Sequence, residues 1–283
     1  MNKIIGVLTG WGVEDWIHPA INQALEFCDE TMVIIAPYAP EFKKFEDRTY
    51  EICKEYPVRL LDYEPSSLPI GKQRCRILNT MLRKSRLFAP GNWIWLFDSD
   101  EFYLDSGYAE VMEAIRLGKY DRVYMESKFF IINMQHYLIE ASERLFKIAT
   151  GNDEFIPTNN WCHKAKNSYT LKRVNGMFHY SMLTDARIHE AQWWLFPPFD
   201  EYGGYRVRWL KEIYAKYDLE NEDYWTEKNR ELIGIKTPWC DDGYKPDENG
   251  RLFRYTGKHP KFIEKAGLTK IKDFREYNKR RKK

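Results

Sequence analysis

The sequence predicts an α/β protein in which helices cover both faces of a mostly parallel β-sheet. Three observations support this fold class. Short β-branched runs alternate with segments of helical periodicity in the N-terminal part of the chain. Those runs are apolar throughout, as in strands that are buried on both faces. One run ends abruptly in three carboxylates, and ligands bind at the carboxyl ends of strands in such sheets.

The N-terminal elements follow one another in a regular order. Ile4 to Leu8 predicts a strand that ends at Thr9-Gly10, and apolar residues then recur at helical spacing from Trp16 to Phe27. The next predicted elements are a strand from Thr31 to Ala36 that Pro37 stops, a helix in the polar stretch before Tyr56, a strand from Val58 to Leu61, a helix from Gly71 to Phe88 and a strand from Trp93 to Phe97.

Farther along the chain the pattern becomes less regular. Val111 to Leu117 predicts a short helix, and Met177 to Leu183 predicts a strand. Two longer runs, Arg122 to Met134 and Arg144 to Ile148, predict strands of a second, antiparallel layer. Helices are predicted from Arg206 to Tyr217 and from Tyr224 to Leu232. The change of character near Pro197-Pro198 predicts a boundary near residue 190, with an α/β domain over 1–190 and a helical extension over 191–283.

Composition limits the class of protein. The net charge of +2 over 283 residues excludes a molecule that binds polyanions with its whole surface. Charge is concentrated from Lys270 to Lys283, which predicts a solvated helix with a frayed end, or attraction to an anionic membrane or nucleic acid. Five scattered cysteines without CxxC spacing predict reduced thiols in a cytoplasmic protein without a zinc site. We expect at most peripheral membrane contact, because no apolar run reaches the length of a membrane span.

The carboxylate cluster Asp98-Ser99-Asp100-Glu101 carries the strongest functional signal. Carboxylates this close repel one another unless a positive group lies between them, and a hard divalent cation that also binds phosphate is the usual solution. An EF-hand is excluded because Phe102 and Tyr103 stand where its loop needs other residues. GxGxxG after the first strand and GxxxxGK[ST] are both absent, and the sequence has no second acidic cluster typical of a two-metal nuclease.

The cluster resembles the DxD motif, in its DxDE form, of nucleotide-sugar-dependent glycosyltransferases with the GT-A fold. The resemblance is to family 2 members of the bacterial lipopolysaccharide-core type and covers roughly residues 3 to 217. The matching features, in order, are a basic helix N-terminus with Lys72 and Arg74, the DxDE itself, Arg144-Leu145-Phe146, His179-Tyr180-Ser181, Lys211 and Tyr214-Ala215. The resemblance implies a nucleotide-sugar-binding catalytic domain with an acceptor-side extension.

By this resemblance, Asp98, Asp100, Glu101 and His179 would hold Mn²⁺ or Mg²⁺ on the diphosphate of the donor. Without this resemblance, His179 would be read as a structural residue, as a lone histidine on a strand more often is. Asp98, Lys72 and Arg74 would also contact the donor. Thr9 and Trp11 end the first strand, where the family holds the nucleotide base, and Asp62 ends the third, where its side chain could bond to base or ribose. Trp11 would stack on the base or simply cover the sheet edge.

The chain departs from the family at the general base. Trp161-Cys162-His163-Lys164 has a lysine where the family places a glutamate, and a protonated lysine cannot accept a proton. His163 is then the first candidate for the base and Asp185 the second, with Asp153 and Glu154 as further alternatives. The remaining possibility is that the base has been lost and the protein only binds.

The sequence therefore predicts a metal-dependent, inverting glycosyltransferase that moves a sugar from a nucleoside-diphosphate donor to an acceptor hydroxyl. The acceptor would be a glycan, a lipid-linked glycan or another hydroxyl compound. The aromatic side chains of Trp193-Trp194, Phe196 and Phe199 would form a wall of the acceptor-binding site. Gly203-Gly204 would be the hinge of a closing loop. Two alternatives stay open: a haloacid-dehalogenase-type phosphatase with Asp98 as nucleophile and Asp241-Asp242 as late acidic pair, and a non-catalytic protein that binds glycans or nucleic acid.

Overall fold

The computed structural model confirms the predicted fold class. The protein is a mixed α/β structure with a curled, largely parallel sheet flanked by helices. The described residues are 2–37, 43, 46–63, 70–156, 160–162, 166–180, 212–233 and 245–281. Within these ranges, no helix is both long enough and apolar enough to cross a lipid bilayer.

The N-terminal half alternates strands and helices as predicted. Its elements are β1 (Ile4–Gly10), α1 (Glu14–Phe27), β2 (Glu30–Ile35), α2 (Thr49–Cys53), β3 (Arg59–Asp62), α3 (Ile70–Leu82), β4 (Trp93–Asp98), β5 (Glu101–Phe102) and α4 (Asp105–Arg116). α3 is shorter than predicted, because the amides of Lys84 and Ser85 bond three residues back and tighten the last turn.

The second half supplies most of the antiparallel strands. Its elements are β6 (Arg122–Phe130), β7 (His136–Lys147), β8 (Phe155–Ile156), β9 (Asn160–Trp161), β10 (Ser168–Leu171), β11 (Met177–His179), α5 (Glu222–Ile233), β12 (Phe253–Arg254), α6 (Lys261–Lys265) and α7 (Phe274–Arg281). The described end of the predicted helix 206–217 is a 3₁₀ turn at Tyr214–Lys216.

The main sheet has a switch in strand order that creates a crevice. Its order is β3-β2-β1-β4-β7-β6-β11-β5, with β10 beside β6 and β12 beside β7. From β1 the chain builds outward through β2 and β3, then returns to place β4 on the other side of β1, and these four strands are parallel. In such a sheet the crevice for ligands opens at the carboxyl ends of the two strands where the order reverses. Here these are β1 and β4.

The prediction of a second, antiparallel layer is wrong. β6 and β7 pair with each other, and β7 also pairs with β4, so both strands continue the main sheet. The physical reason lies in β4, which is buried along its whole length. Its backbone groups on the side away from β1 need partners, because an unpaired buried amide or carbonyl is costly. β7 supplies them over Trp93 to Trp95.

Hydrophobic layers cover both faces of the sheet. In β1, Ile5 and Val7 pack in the cluster that contains α3, whereas Ile4 and Leu8 pack in the cluster that contains α1. Successive side chains of a strand point to opposite faces, so a strand between two layers must be apolar at every position. This explains the continuous apolar runs of the sequence and fixes the carboxyl ends of β1 and β4 against a rigid core.

The C-terminal segment packs on the same sheet and core. β12 pairs with β7, and the side chains of Phe262 and Phe274 join the hydrophobic cluster of α1. Arg275, in the basic segment, donates to the carbonyls of Tyr214 and Tyr217. The predicted division near residue 190 falls in 181–211, outside the described residues, and stays a prediction, as does contact of the basic end with membrane or nucleic acid.

We expect His259 to make the fold sensitive to acid. Its Nδ1 lies 2.8 Å from the Tyr180 hydroxyl. Burial, helped by the charge of Lys128 and opposed by a hydrogen bond with the Met134 backbone, lowers the pKa of His259 to about 4. As the pH falls, the unfolded state binds this proton first, so stability that is present above pH ~6.5 is lost toward pH ~4, up to about 3 kcal/mol. Urea unfolding at pH 7 and pH 4.5 measures the loss.

His259→Asn is the matched variant, because asparagine keeps a group that can bond to the Tyr180 hydroxyl but does not titrate. The stability of this variant should fall less between the two pH values than that of the wild type. Equal losses in the two proteins would show that His259 does not cause the acid sensitivity.

Candidate active site at the carboxyl ends of β1 and β4

Asp98, the last residue of β4, lies at the crevice between the two central strands. Thr9 of β1 is its register partner, and the Thr9 hydroxyl donates to Asp98 Oδ1 over 2.7 Å. Two guanidinium groups approach the same carboxylate, that of Arg74 from α3 at 3.3 Å and that of Arg144 from β7 at 3.7 Å. Asp98 is 9% exposed, so this cluster of charges faces the crevice from a largely buried position.

Glu101 is fully buried and forms the closest ion pair of the site, with Arg144. Arg144 binds both of its carboxylate oxygens, with Nε at 3.0 Å from Oε1 and 2.8 Å from Oε2, and Nη2 also donates to Oε1. Burial raises the pKa of Glu101, although Arg144 acts against this change. Burial lowers the pKa of Arg144, but the Glu101 carboxylate outweighs this and raises it above the usual range. Glu101 therefore holds Arg144 beside Asp98.

The turn between β4 and β5 is fixed from both sides. Gln23, buried on α1, donates to the Glu101 carbonyl over 2.9 Å and accepts from the Tyr103 amide over 2.8 Å. The amide of Asp98 donates to Glu101 Oε2 over 3.2 Å. These bonds hold the two aspartates and the glutamate in one arrangement, and pre-arranged groups are what a binding or catalytic site requires.

Asp100 faces His179 across the site. β11 pairs antiparallel with β5, so that His179 stands opposite Glu101, and its Nε2 lies 3.8 Å from Asp100 Oδ2. The other ring nitrogen, Nδ1, lies 2.8 Å from Glu140 Oε2. Burial alone lowers the pKa of His179, but the carboxylates of Glu140 and Asp100 outweigh it and raise this pKa to about 9.

The site carries an excess of negative charge. Two guanidinium groups and the protonated imidazole of His179 meet four carboxylates, those of Asp98, Asp100, Glu101 and Glu140. The raised pKa of His179 reports the same excess, since a histidine binds its proton more tightly in a negative field. Among the described residues, no group of three or more His, Cys, Asp or Glu side chains is placed to hold a metal ion.

The other predicted site residues are placed as follows. Lys72 is exposed on α3, on a different side of the helix from Arg74, and Trp11 is half-buried just beyond β1. Asp62 ends β3, but its side chain is not among the described ones. The carboxylate of Asp153 accepts from the amides of Ala149 and Thr150, which leaves it a structural role.

Several predictions fall outside the described residues. They are the base candidates His163 and Asp185, the matches Ser181 and Lys211, the aromatic wall at 193–199, the Gly203-Gly204 hinge and the acidic pair Asp241-Asp242.

The sequence analysis missed Glu140. The sequence contains no reliable signal for it, because the register of β7 against β6 shifts at Arg144 and the alternation of side chains cannot be carried from Arg144 to Glu140. Its partner on the sheet could not be found from the sequence either. Only the tertiary pairing of β6 with both β7 and β11 brings Glu140 to His179.

No protein-family model and no curated protein sequence matches this chain. Among solved structures it is similar to S. aureus TarS, with a TM-score of 0.39 and 13% identity over 82% of this chain and 48% of that one. It is also similar to a 1–349 segment of TarS (TM-score 0.42, 14% identity, 82% and 80% covered). A third similar structure is a 4-diphosphocytidyl-2C-methyl-D-erythritol synthase (TM-score 0.34, 12% identity, 75% and 86% covered).

The chain spans about half the length of the full TarS chain. Similarities with such low identities and TM-scores carry no argument about activity. The assignment to the GT-A family therefore stays a prediction, and the function has to be argued from the site.

Proposed function

We propose that this protein transfers a sugar from a nucleoside-diphosphate donor to an acceptor hydroxyl with the help of a divalent cation. The observation that carries the proposal is the position of Asp98 at the crevice between β1 and β4, beside Arg74 and Arg144, with Asp100 and His179 next to each other in the following turn. Parallel sheets bind their ligands at such a crevice. A diphosphate needs positive charge around it, which Arg74 and a divalent cation would supply.

The donor set fits a divalent cation that is shared with the substrate. Ions such as Mg²⁺ are often bound by one or two protein carboxylates, with substrate phosphates and water completing the coordination. Asp98 and Asp100 supply the carboxylates, and His179 adds a nitrogen, which suits Mn²⁺ better than Mg²⁺. Because no group of three such side chains in the described part of the chain is placed to hold a metal ion, the substrate phosphates would have to complete the coordination. Glu101, occupied by Arg144, supports the site without contacting the ion.

The cation would stabilise the negative charge that develops on the departing diphosphate, a contribution of several kcal/mol to lowering the barrier. Arg74 lies at the mouth of the same cluster, and we expect its guanidinium to contact a donor phosphate. The Thr9 hydroxyl donates to one oxygen of the Asp98 carboxylate, and the Arg144 guanidinium lies 3.7 Å from the other. Trp11 follows β1 directly, and stacking on the nucleotide base stays the role we propose for it.

The acceptor hydroxyl has to lose a proton, and His163 or Asp185 stays our candidate for accepting it. Direct displacement would invert the configuration at the sugar carbon. A glycan or a lipid-linked glycan is the acceptor class that we propose, with the segment after residue 190 on the acceptor side.

Calorimetric titration with UDP, GDP, CDP and their common sugar conjugates tests the proposal. With Mn²⁺ present, one nucleotide should bind with a Kd in the micromolar to millimolar range, as is usual for enzyme substrates. In EDTA the same nucleotide should bind much more weakly. Absence of binding under both conditions would contradict the proposal and favour the phosphatase, which phosphate release from a generic phosphomonoester would then reveal.

A further inference from the structure

We propose that a groove between α5 and the 3₁₀ turn at Tyr214–Lys216 is a subsite for one sugar ring of an uncharged glycan. The groove has a volume of about 480 Å³, which lies within the range of small-molecule sites. Binding there needs neither a nucleotide nor a cation. That the glycan is the acceptor rests on the proposed function.

Aromatic rings line the groove. Tyr224 is 48% exposed, and the neighbouring Trp225 is half-buried. The two rings meet edge to face, with centroids 5.1 Å apart and an angle of 80° between their planes. A sugar ring has C–H groups on its faces and hydroxyl groups around its edge, so it can pack a face on an aromatic ring while its edge meets polar groups.

The charged groups around these rings balance one another. Lys228 follows Tyr224 by one helical turn, and its Nζ lies 5.8 Å from the centre of that ring and 2.6 Å from Glu231 Oε2. Glu212 and Lys216 line the opposite wall. Two lysines and two glutamates carry no net charge, which favours an uncharged ligand over a phosphate, a nucleic acid or an anionic lipid. The ammonium groups can donate to sugar hydroxyls, and the carboxylates can accept from them.

Both walls of the groove are anchored to the rest of the protein. On α5, the hydroxyl of the buried Thr226 donates to the Gly250 carbonyl over 3.3 Å. The 3₁₀ turn is held by Arg275, which donates to the Tyr214 carbonyl over 3.1 Å. A groove that is formed before its ligand arrives loses little conformational entropy on binding.

One short helix joins the groove to the edge of the sheet where the crevice opens. Arg275, which holds the 3₁₀ turn, lies on α7 two residues before Tyr277, and the Tyr277 hydroxyl donates to Asp15 Oδ2 over 2.6 Å. Asp15 is in the first turn of α1, which follows the carboxyl end of β1. A glycan with one sugar in the groove is thus held on the part of the molecule that adjoins the crevice.

Saturation-transfer NMR with the full chain tests the inference. The probes are the methyl glycosides of glucose, galactose, mannose and N-acetylglucosamine, each without nucleotide and in EDTA. At least one should receive saturation from the protein and bind with a Kd in the millimolar range, as expected for so small a ligand. Tyr224→Ala should weaken its binding by about tenfold, whereas Tyr224→Phe keeps the ring and should bind like the wild type. Because Tyr224 is largely exposed, circular dichroism should show both variants folded.

Tyr50→Ala is the matched control. Tyr50 is half-buried on α2 and also has a lysine over its ring, with Lys54 Nζ 4.9 Å from the centroid, but it lies outside the groove. This variant should bind the glycoside as the wild type does. Mannitol, an acyclic polyol that has no ring face, should receive no saturation from any of these proteins.

The outcomes separate this inference from the proposed function. Absence of saturation transfer to all four glycosides would overturn the inference, and so would equal binding by the wild type and Tyr224→Ala. Neither result affects the nucleotide titration, which tests the proposed function. If a glycoside binds at Tyr224 but no nucleotide binds with Mn²⁺, the subsite is confirmed and the transfer reaction is wrong.

Discussion

The Asp100→Asn variant is expected to lose sugar transfer by a factor of about 10³ or more. Asparagine has the shape of aspartate but no charge, so the variant removes a carboxylate that we propose as a ligand of the cation and leaves the space filled. Loss of the cation forfeits several kcal/mol of charge stabilisation on the leaving diphosphate, and each 1.36 kcal/mol corresponds to a factor of ten in rate. The measurement is the rate of donor turnover at saturating Mn²⁺, with and without acceptor.

The fold should tolerate this change. The carbonyl of Asp100, which accepts from the Tyr180 amide over 2.9 Å, belongs to the backbone and is unaffected. The variant loses the attraction between the Asp100 carboxylate and the His179 imidazole, which are 3.8 Å apart, but keeps the volume of the side chain. Urea unfolding should therefore show that the variant remains folded under the assay conditions, so that lost turnover cannot be attributed to an unfolded protein.

Asp105→Asn serves as the control for Asp100→Asn. Asp105 follows the motif closely in the chain and is the first residue of α4. Its side chain is exposed and forms an ion pair with Lys261. Turnover by this variant should equal that of the wild type. If Asp100→Asn retained comparable turnover, the metal assignment at Asp100 would be wrong.

The parallel half of the fold could be predicted because its signals are local. Strands buried on both faces are apolar at every position, and the run from Trp93 to Phe97 needs no other information to be recognised. The motif at its end also marks the carboxyl edge of the sheet. Thr9 could be placed at the same edge because it ends another strand of this kind.

The rest of the site depends on pairings between distant residues. The register of β7 against β4 brings Arg144 to Asp98, and no local pattern distinguishes this arrangement from the separate antiparallel layer that we predicted. Glu101 shows the same limit. Its sequence context predicts a ligand for the cation, but the structure places Arg144 on both of its carboxylate oxygens.

The buried ion pair of Glu101 and Arg144 should matter strongly for the stability of the protein, which can be measured by breaking the pair. Arg144→Met should destabilise the protein by about 3–5 kcal/mol, because it leaves the Glu101 carboxylate buried without its counter-charge. Only 13% of the Arg144 side chain and none of the Glu101 side chain is exposed, so water cannot replace the missing partner. Urea unfolding followed by circular dichroism would show the midpoint shift at an unchanged slope.

A second substitution separates charge from packing in this result. Glu101→Gln removes the buried charge but keeps an oxygen that can accept from the Asp98 amide. The double variant Arg144→Met/Glu101→Gln should therefore be more stable than Arg144→Met alone, since an ion pair replaced as a whole costs much less than a broken one. Arg116→Met, which breaks an exposed pair with Glu113 on α4, should have no measurable effect. If Arg144→Met were as mild as Arg116→Met, the ion pair would not be what fixes Arg144 beside Asp98.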